Sequence, residues 1–265
     1  MIGREQVQEY EDTGLLAVPD FFFPEEVAAL RRAFVEDGKV AGPHRVLEED
    51  GRSIRAVYAS HLRHPVFHRL VCSERLLGAA RQLLGPDLYV WQFKINTKRP
   101  FGGAAWSWHQ DYVVWREFDA MPTAEALSVA VFLDDVSEFN GPIVFVPRSH
   151  RGGVLEPPVR DGAPISEQHV DPADFELANE SVAELASSHG LVAPKGRAGA
   201  AVFFHPNVVH ASGLNISPFP RDVLIVTYNS LSNAPSSNLP SRAEYLVGAP
   251  TGRLELTDIS VTAPA

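Results

Sequence analysis

The sequence predicts an α+β chain in which N-terminal helices flank a β-barrel or jelly roll. Three observations carry that expectation. Apolar residues recur at helical spacing through the first part of the chain, and from Leu88 on short Val-, Ile-, Phe- and Tyr-rich runs take over. Gly, Pro and Asn, not further helices, separate those runs. At 265 residues the chain has the length of one domain, 1–265, with a sizeable core.

Val7 and Tyr10, three apart and ahead of Gly14, mark a first helix. Val27, Leu30 and Phe34 mark a second, opened by Pro24, whose fixed φ suits the first helical position. Ser73 can cap a third that carries Leu76, Leu77, Ala80, Leu83 and Leu84 and that Gly85-Pro86 stops. Strands are expected over 88–97, 127–133, 143–146, 200–204 and 223–228. Between them 152–197 turns polar, and Pro157, Pro158, Pro164 and Pro172 break any long element. An insertion of that length is expected to serve as a lid or a mobile linker, with a short helix over 181–187.

Composition excludes several classes of function. The net charge of -10 repels a polyanion, so nucleic acid is not an expected partner. No apolar run approaches the roughly 20 residues of a membrane span, and the amino terminus lacks the apolar stretch of a secretory signal. A single cysteine, Cys72, forbids an internal disulfide and fits a reducing cytoplasm, and its place beside an apolar helix marks it as core.

Trp108-His109-Gln110-Asp111 sets an imidazole and a carboxylate two residues apart, and on an extended strand both point to one face. His210, just past the run 200–204, can complete a facial set of three ligands that leaves half of an octahedral metal open. With ten histidines a His-x-Asp pair also arises by chance. A second one, His169-Val170-Asp171, runs into Pro172, where no strand would fix both ligands, so the first pair is preferred. Ser212 and Arg221 follow His210, and from the run 223–228 a guanidinium fork can reach into a barrel toward a carboxylate. A buried arginine needs an anion, which a dicarboxylic co-substrate supplies. The plainer alternative is a solvated charge after Pro220.

Trp108-His109-Gln110-Asp111-Tyr112, then Glu138-Phe139-Asn140-Gly141-Pro142 with Pro147-Arg148-Ser149-His150, then His210-Ala211-Ser212-Gly213 with Arg221, resemble the phytanoyl-CoA dioxygenase superfamily of iron(II)/2-oxoglutarate oxygenases. The resemblance covers nearly the whole chain and is strongest toward the branch that hydroxylates free leucine, free proline and ectoine. Gly42-Pro43-His44-Arg45, Tyr58-Ala59-Ser60-His61, Gln92-Phe93-Lys94-Ile95-Asn96-Thr97-Lys98 and Gln168-His169-Val170-Asp171-Pro172 look most like the leucine 5-hydroxylating members. The resemblance implies a double-stranded β-helix with Fe(II) on His109, Asp111 and His210 and with O2 at the last open position. It places 2-oxoglutarate against Asn96, Trp106, Ser212 and Arg221, and substrate against Gln92 and Trp115. Trp106 stands where ectoine-hydroxylating members carry phenylalanine. Halogenating relatives lack the carboxylate ligand, so Asp111 implies hydroxylation instead of chlorination.

The implied activity is hydroxylation of an unactivated C–H of a small aliphatic L-amino acid, leucine first, as a building block for nonribosomal peptides. Proline, an ectoine-like compound or a carrier-bound amino acid are the alternatives within the same chemistry. A free amino acid needs a cation for its carboxylate and an anion for its ammonium. Arg55, Lys94 and Arg45 are candidates for the first role and Glu48 and Asp171 for the second; each is otherwise a solvated surface charge. Val170, in the expected lid, can cover an aliphatic side chain, and Trp115 can wall the pocket or belong to the core. An apolar pocket separates one methylene by only about 1–3 kcal/mol, so residue pattern alone does not rank leucine above proline. A metal-binding barrel without catalysis is the reading from a different class, and Arg221 speaks against it.

Overall fold

Up to Leu84, helix formation follows the apolar spacing with two departures. In the computed structural model, which describes residues 2–156, 175–235 and 242–263, α1 (Arg4–Thr13) buries Tyr10, and α2 (Pro24–Asp37) opens on Pro24 and buries Val27, Leu30, Ala33 and Phe34. The first departure is in the third helical stretch, which is not continuous. The Ser73 hydroxyl accepts from the Leu76 amide at 3.2 Å as expected of a cap, but a wide π turn (Glu74–Gly78) then precedes α4 (Ala79–Leu84). The second is α3 (Pro65–Val71), an additional short helix whose start is set by Pro65 and by the His64 ring accepting from the Val66 amide. The helix expected over 181–187 is α6 (Asn179–His189).

Ten strands are present among the described residues. The long ones, β4 (Leu88–Lys98), β6 (Ala126–Phe132) and β10 (Arg221–Ser230), lie where β-branched alternation predicts strands, as do β7 (Ile143–Phe145) and β8 (Ala201–Phe204). Five more are three to five residues long, too short for a period to show: β1 (Leu15–Val18), β2 (Arg45–Leu47), β3 (Ile54–Tyr58), β5 (Trp106–His109) and β9 (His210–Ser212). They form two antiparallel sheets, β1-β8-β6-β10-β4-β3-β2 and β5-β9-β7. In the larger sheet the first strand pairs with β8, Leu15 opposite Phe204, so the amino terminus closes one edge.

One face of the larger sheet packs on the helices, with Val129, Val131, Leu224 and Val226 against Leu30, Phe34, Phe67, Leu70 and Leu76. Burying a side chain of this size contributes about 1.5–3 kcal/mol. The other face, with Val202, Phe204, Val223 and Ile225, turns toward the smaller sheet. In β4 a bulge at the Thr227/Tyr228 step inserts one residue and flips the alternation. Leu88 and Val90 belong to the helix-side core before it, Phe93 and Ile95 after it. Gln92, Lys94 and Asn96 are thereby turned to the inner face.

Of the expected lid, residues 157–174 lie outside the described residues, and His169, Val170 and Asp171 with them. From Phe175 on, the stretch is packed: Leu177 and Val182 are buried against Val146 and Val209, and the Leu177 amide donates to the Trp108 carbonyl at 2.9 Å. Cys72 is buried, and among the described residues no helix is long and apolar enough to cross a membrane.

Candidate metal and anion site

Register builds the site in two rows across the smaller sheet. His109 on β5 pairs with His210 on β9, which pairs with Phe145 on β7; one step further, Trp106, Ser212 and Ile143 form a second row. On β9, His210 and Ser212 are two apart and share a face. The imidazole rings of His109 and His210 lie 4.2 Å apart between centroids, and Phe145 and Phe204 hold the His210 ring at 5.7 and 5.3 Å.

His109 and Asp111 do not share a strand, contrary to the expectation from their spacing. Strand β5 ends at His109, and Asp111 is the first residue of α5 (Asp111–Asp119). The intervening Gln110 keeps an extended backbone, φ -117° and ψ 128°, which is enough to return Asp111 to the side of His109. The carboxylate thus sits at a helix N-terminus, where negative charge is favoured. Its Oδ1 is 3.7 Å from His109 Nε2, and one ligand atom from each of His109, Asp111 and His210 lies within 4.8 Å of the others.

Both imidazoles are oriented through Nδ1, at 2.6 Å from the Ser107 carbonyl and 2.9 Å from the Val208 carbonyl. Donation at Nδ1 leaves the Nε2 lone pair for a metal. Burial, then the nearby His109, pulls the His210 pKa down to about 4, so this ring is neutral at ordinary pH. Burial pushes the Asp111 carboxyl up, but the charge of Lys94, first, and the adjoining imidazoles outweigh it and hold it well below the usual carboxylate range. Two imidazoles that offer Nε2 and one carboxylate suit a divalent ion such as iron(II), with half its coordination sphere open.

The three side chains line a pocket of about 850 Å³, part of it open to solvent, between the two sheets. Asn96, Trp106, Ser212 and Arg221 line it too, as do Gln92, Lys94 and Trp115. Arg221 is 2 % exposed. Its Nε and Nη2 donate to the Gly141 carbonyl at 3.0 and 2.5 Å, and Nη2 lies 3.4 Å from the Ser212 hydroxyl. Among the described residues no carboxylate is within ion-pair distance of it, and burial pulls its pKa to about 10. Among the described residues the buried Asn96 Oδ1 has no hydrogen-bond partner. This end of the pocket is cationic and uncompensated, which favours an anionic ligand.

Other expected residues fall elsewhere. Arg55 does not line the pocket; its guanidinium stacks 4.8 Å from the centre of the ring of Trp106, which does. Arg45 donates to the Gly38 carbonyl at 3.1 Å, and Glu48 accepts from the Ala104 amide at 3.4 Å, so neither reaches the pocket. Conversely, Tyr58, Val114, Ile143, Arg242 and Leu246 line the pocket without having been singled out for it. Arg242 is held by two hydrogen bonds to the buried Asp119, at 2.7 and 2.5 Å, and the Leu246 carbonyl accepts from Gln92 at 3.0 Å. Ile143 was legible as a strand residue; nothing periodic marks 242–246.

Residues 10–223 match the family model described as Phytanoyl-CoA dioxygenase (PhyH). The chain is 38 % identical over 242 residues to an L-proline trans-4-hydroxylase of Streptomyces griseoviridis, covering 90 % of each. It is 36 % identical over 259 residues to an ectoine dioxygenase of Bordetella parapertussis, covering 92 % of this chain and 82 % of the relative. Among solved structures it resembles EctD from S. alaskensis, seen with 2-oxoglutarate and 5-hydroxyectoine and also with bound Fe. Both superpose with a TM-score of 0.82 at 31 % identity, over 97 % of this chain and 87 % of the other.

Proposed function

Since the chain belongs to the phytanoyl-CoA dioxygenase (PhyH) family and is a 2-oxoglutarate-dependent dioxygenase that uses Fe(II) and O2, we propose that it hydroxylates an unactivated C–H of a free small aliphatic L-amino acid. Leucine, at its 5-position, is the first choice, with the product serving as a building block for nonribosomal peptides. The observation that carries the reading is a buried arginine without a carboxylate partner among the described residues, sharing one pocket with a His-Asp-His cluster.

In this reading His109, Asp111 and His210 hold the iron, Arg221 and Ser212 take the distal carboxylate of 2-oxoglutarate, and Asn96 and Trp106 contact its chain. The bound iron, with 2-oxoglutarate and O2, supplies the oxidant that replaces C–H by C–OH. What the protein adds is placement. Lys94 offers a cation to the amino-acid carboxylate, Gln92 and Trp115 border the substrate, and Val114, Ile143, Ile225 and Leu246 give an aliphatic side chain an apolar wall. Arg55 acts through Trp106, on whose ring it stacks. Val170 covers the aliphatic side chain and Asp171 takes the ammonium, within a lid over 152–197 of one catalytic domain, 1–265.

A second reading, hydroxylation of free proline, is supported by the 38 % identity to the proline enzyme. One experiment separates the two. Anaerobically purified protein is given iron(II), 2-oxoglutarate, O2 and each proteinogenic amino acid in turn, and succinate and a gain of one oxygen by mass are followed. Product from leucine above proline supports the first reading, and the reverse supports the second. Succinate release coupled to none of them rejects both.

A further inference from the structure

Gln110, between His109 and Asp111, is fully buried, and its extended backbone turns its side chain away from theirs. Its Nε2 donates to the Gly153 carbonyl at 2.9 Å and to the Asn207 carbonyl at 2.7 Å, and its Oε1 accepts from the Leu155 amide at 2.8 Å. Both amide protons are used, and the amide is held from two chain segments at once.

Those segments matter to the metal cluster. Asn207 lies three residues before His210, in a turn whose Pro206 carbonyl also accepts from the Tyr112 amide at 3.2 Å. The turn is held from the other side, where the Ser149 hydroxyl accepts from the Val209 amide at 2.8 Å. Strand pairing alone does not fix the cluster. The β5–β9 ladder has a register shift between Trp106 and His109, and the His109–His210 rung is its last; Asp111 stands beyond it, at the start of a helix. A clamp outside the ladder is therefore what sets the carboxylate against the second imidazole.

On the reading that His109, Asp111 and His210 hold a metal, we propose that Gln110 is a positioning residue. It fixes the His109–Asp111 arm of the site against the His210 arm and ties both to the chain at 153–155. Gln110 touches no reacting atom, so its contribution is to the geometry and affinity of the metal site.

Cobalt(II) in place of iron(II) tests this without turnover, because its visible bands report coordination geometry. Purified wild type, Gln110→Met, Gln110→Glu and Gly153→Ala are titrated with Co(II), and the fold of each metal-free protein is checked by circular dichroism. Methionine removes all three hydrogen bonds at similar volume, and glutamate keeps only the acceptor. Gly153 has φ 74° and ψ -148°, so alanine there shifts the carbonyl that Gln110 holds while touching no ligand. The expected result is a Co(II) affinity about 10–100-fold weaker in the Gln110 variants, a smaller loss in Gly153→Ala, and altered visible bands in all three. Wild-type bands and an affinity within about twofold in variants that fold would overturn the proposal. Should both Gln110 variants fail to fold, Gly153→Ala decides it in the same way. A wild type that binds Co(II) no better than His109→Ala rejects the metal reading itself, and this inference with it.

Discussion

Replacing Lys98 by methionine tests, through its effect on stability, the buried charge on the residue paired with Arg221. Lys98 is 1 % exposed on β4, opposite Arg221 in the register, and its Nζ donates to the Ala104 and Gly213 carbonyls at 2.7 and 2.6 Å. Burial, then the charges of Arg221 and Arg55, pull its pKa from the ordinary 10.5 to about 7, with Glu48 pulling the other way. The unfolded chain keeps this proton up to 10.5 and the folded chain releases it near 7. Between those values the unfolded state binds more protons, so stability rises with pH. The gap corresponds to on the order of 5 kcal/mol. A neutral amine still has two N–H groups for the two carbonyls, so deprotonation costs neither bond. Methionine leaves both carbonyls without that donor, a loss of about 1–3 kcal/mol each, but one that does not vary with pH. Urea unfolding of wild type and Lys98→Met from about pH 6 to about pH 10 therefore gives two curves that separate. The difference between them is flat below neutrality, and above it the wild type gains several kcal/mol that the variant does not. Curves that stay parallel across the range would refute the reasoning.

Arg221→Met is expected to raise the KM for 2-oxoglutarate by roughly 100-fold, since a lost charge-assisted hydrogen-bonded pair costs about 2–5 kcal/mol. The same variant should lose the thermal stabilisation that 2-oxoglutarate gives the wild type, and an unchanged KM would place the co-substrate elsewhere. Asp222 has its carboxyl raised to about 7 by burial and then by Asp134, against the pull of Arg31 and Arg221. The folded state holds this proton to about 7 while the unfolded state loses it near the ordinary 3.8, so stability falls as pH rises between them. Asp222→Asn should flatten that fall in urea titrations. A Cβ at Gly248 would lie 2.1 Å from the Val90 carbonyl, and its amide donates to Trp91 at 2.7 Å. Gly248→Ala should push the segment with Leu246 off β4 and raise the KM for the amino acid about tenfold or more, leaving that for 2-oxoglutarate unchanged in steady-state assays.

The parts of the fold that were legible are those where one residue pattern repeats several times. β6 and β10 run for seven and ten residues and carry unbroken apolar and β-branched stretches at 129–132 and 223–227, and α2 gives fourteen residues with a proline at its start. β9 gives three residues, and its strand character lies in its partners β5 and β7, which no local pattern encodes. The His109–Asp111 spacing led to the observed juxtaposition by a different route from the one expected. One extended residue, Gln110, is all the i, i+2 rule requires, and the helix that follows does not undo it. Arg242 shows the opposite limit. Its place on the pocket wall depends on Asp119, 123 residues away, and an ion pair over that separation leaves no trace in local sequence.

The polar positions of β4 are the most instructive, because the alternation alone did not carry the site reading that the family resemblance gave Gln92 and Asn96. Gln92, Lys94 and Asn96 alternate with Phe93 and Ile95, the signature of a strand with one face in water. Here that face is covered: Gln92 and Asn96 are each only 8 % exposed, and all three line the pocket. A polar stripe on an inner strand means solvent or a ligand site, and the choice turns on whether a second sheet closes over it. In this chain the covering sheet is made of strands of three and four residues, with the cluster of His109, Asp111 and His210 at the end of its β5–β9 ladder. The short strands that were hardest to read are thus the ones that turn a wet face into a site, and their short ladder needs bonds such as those of Gln110 to hold its geometry.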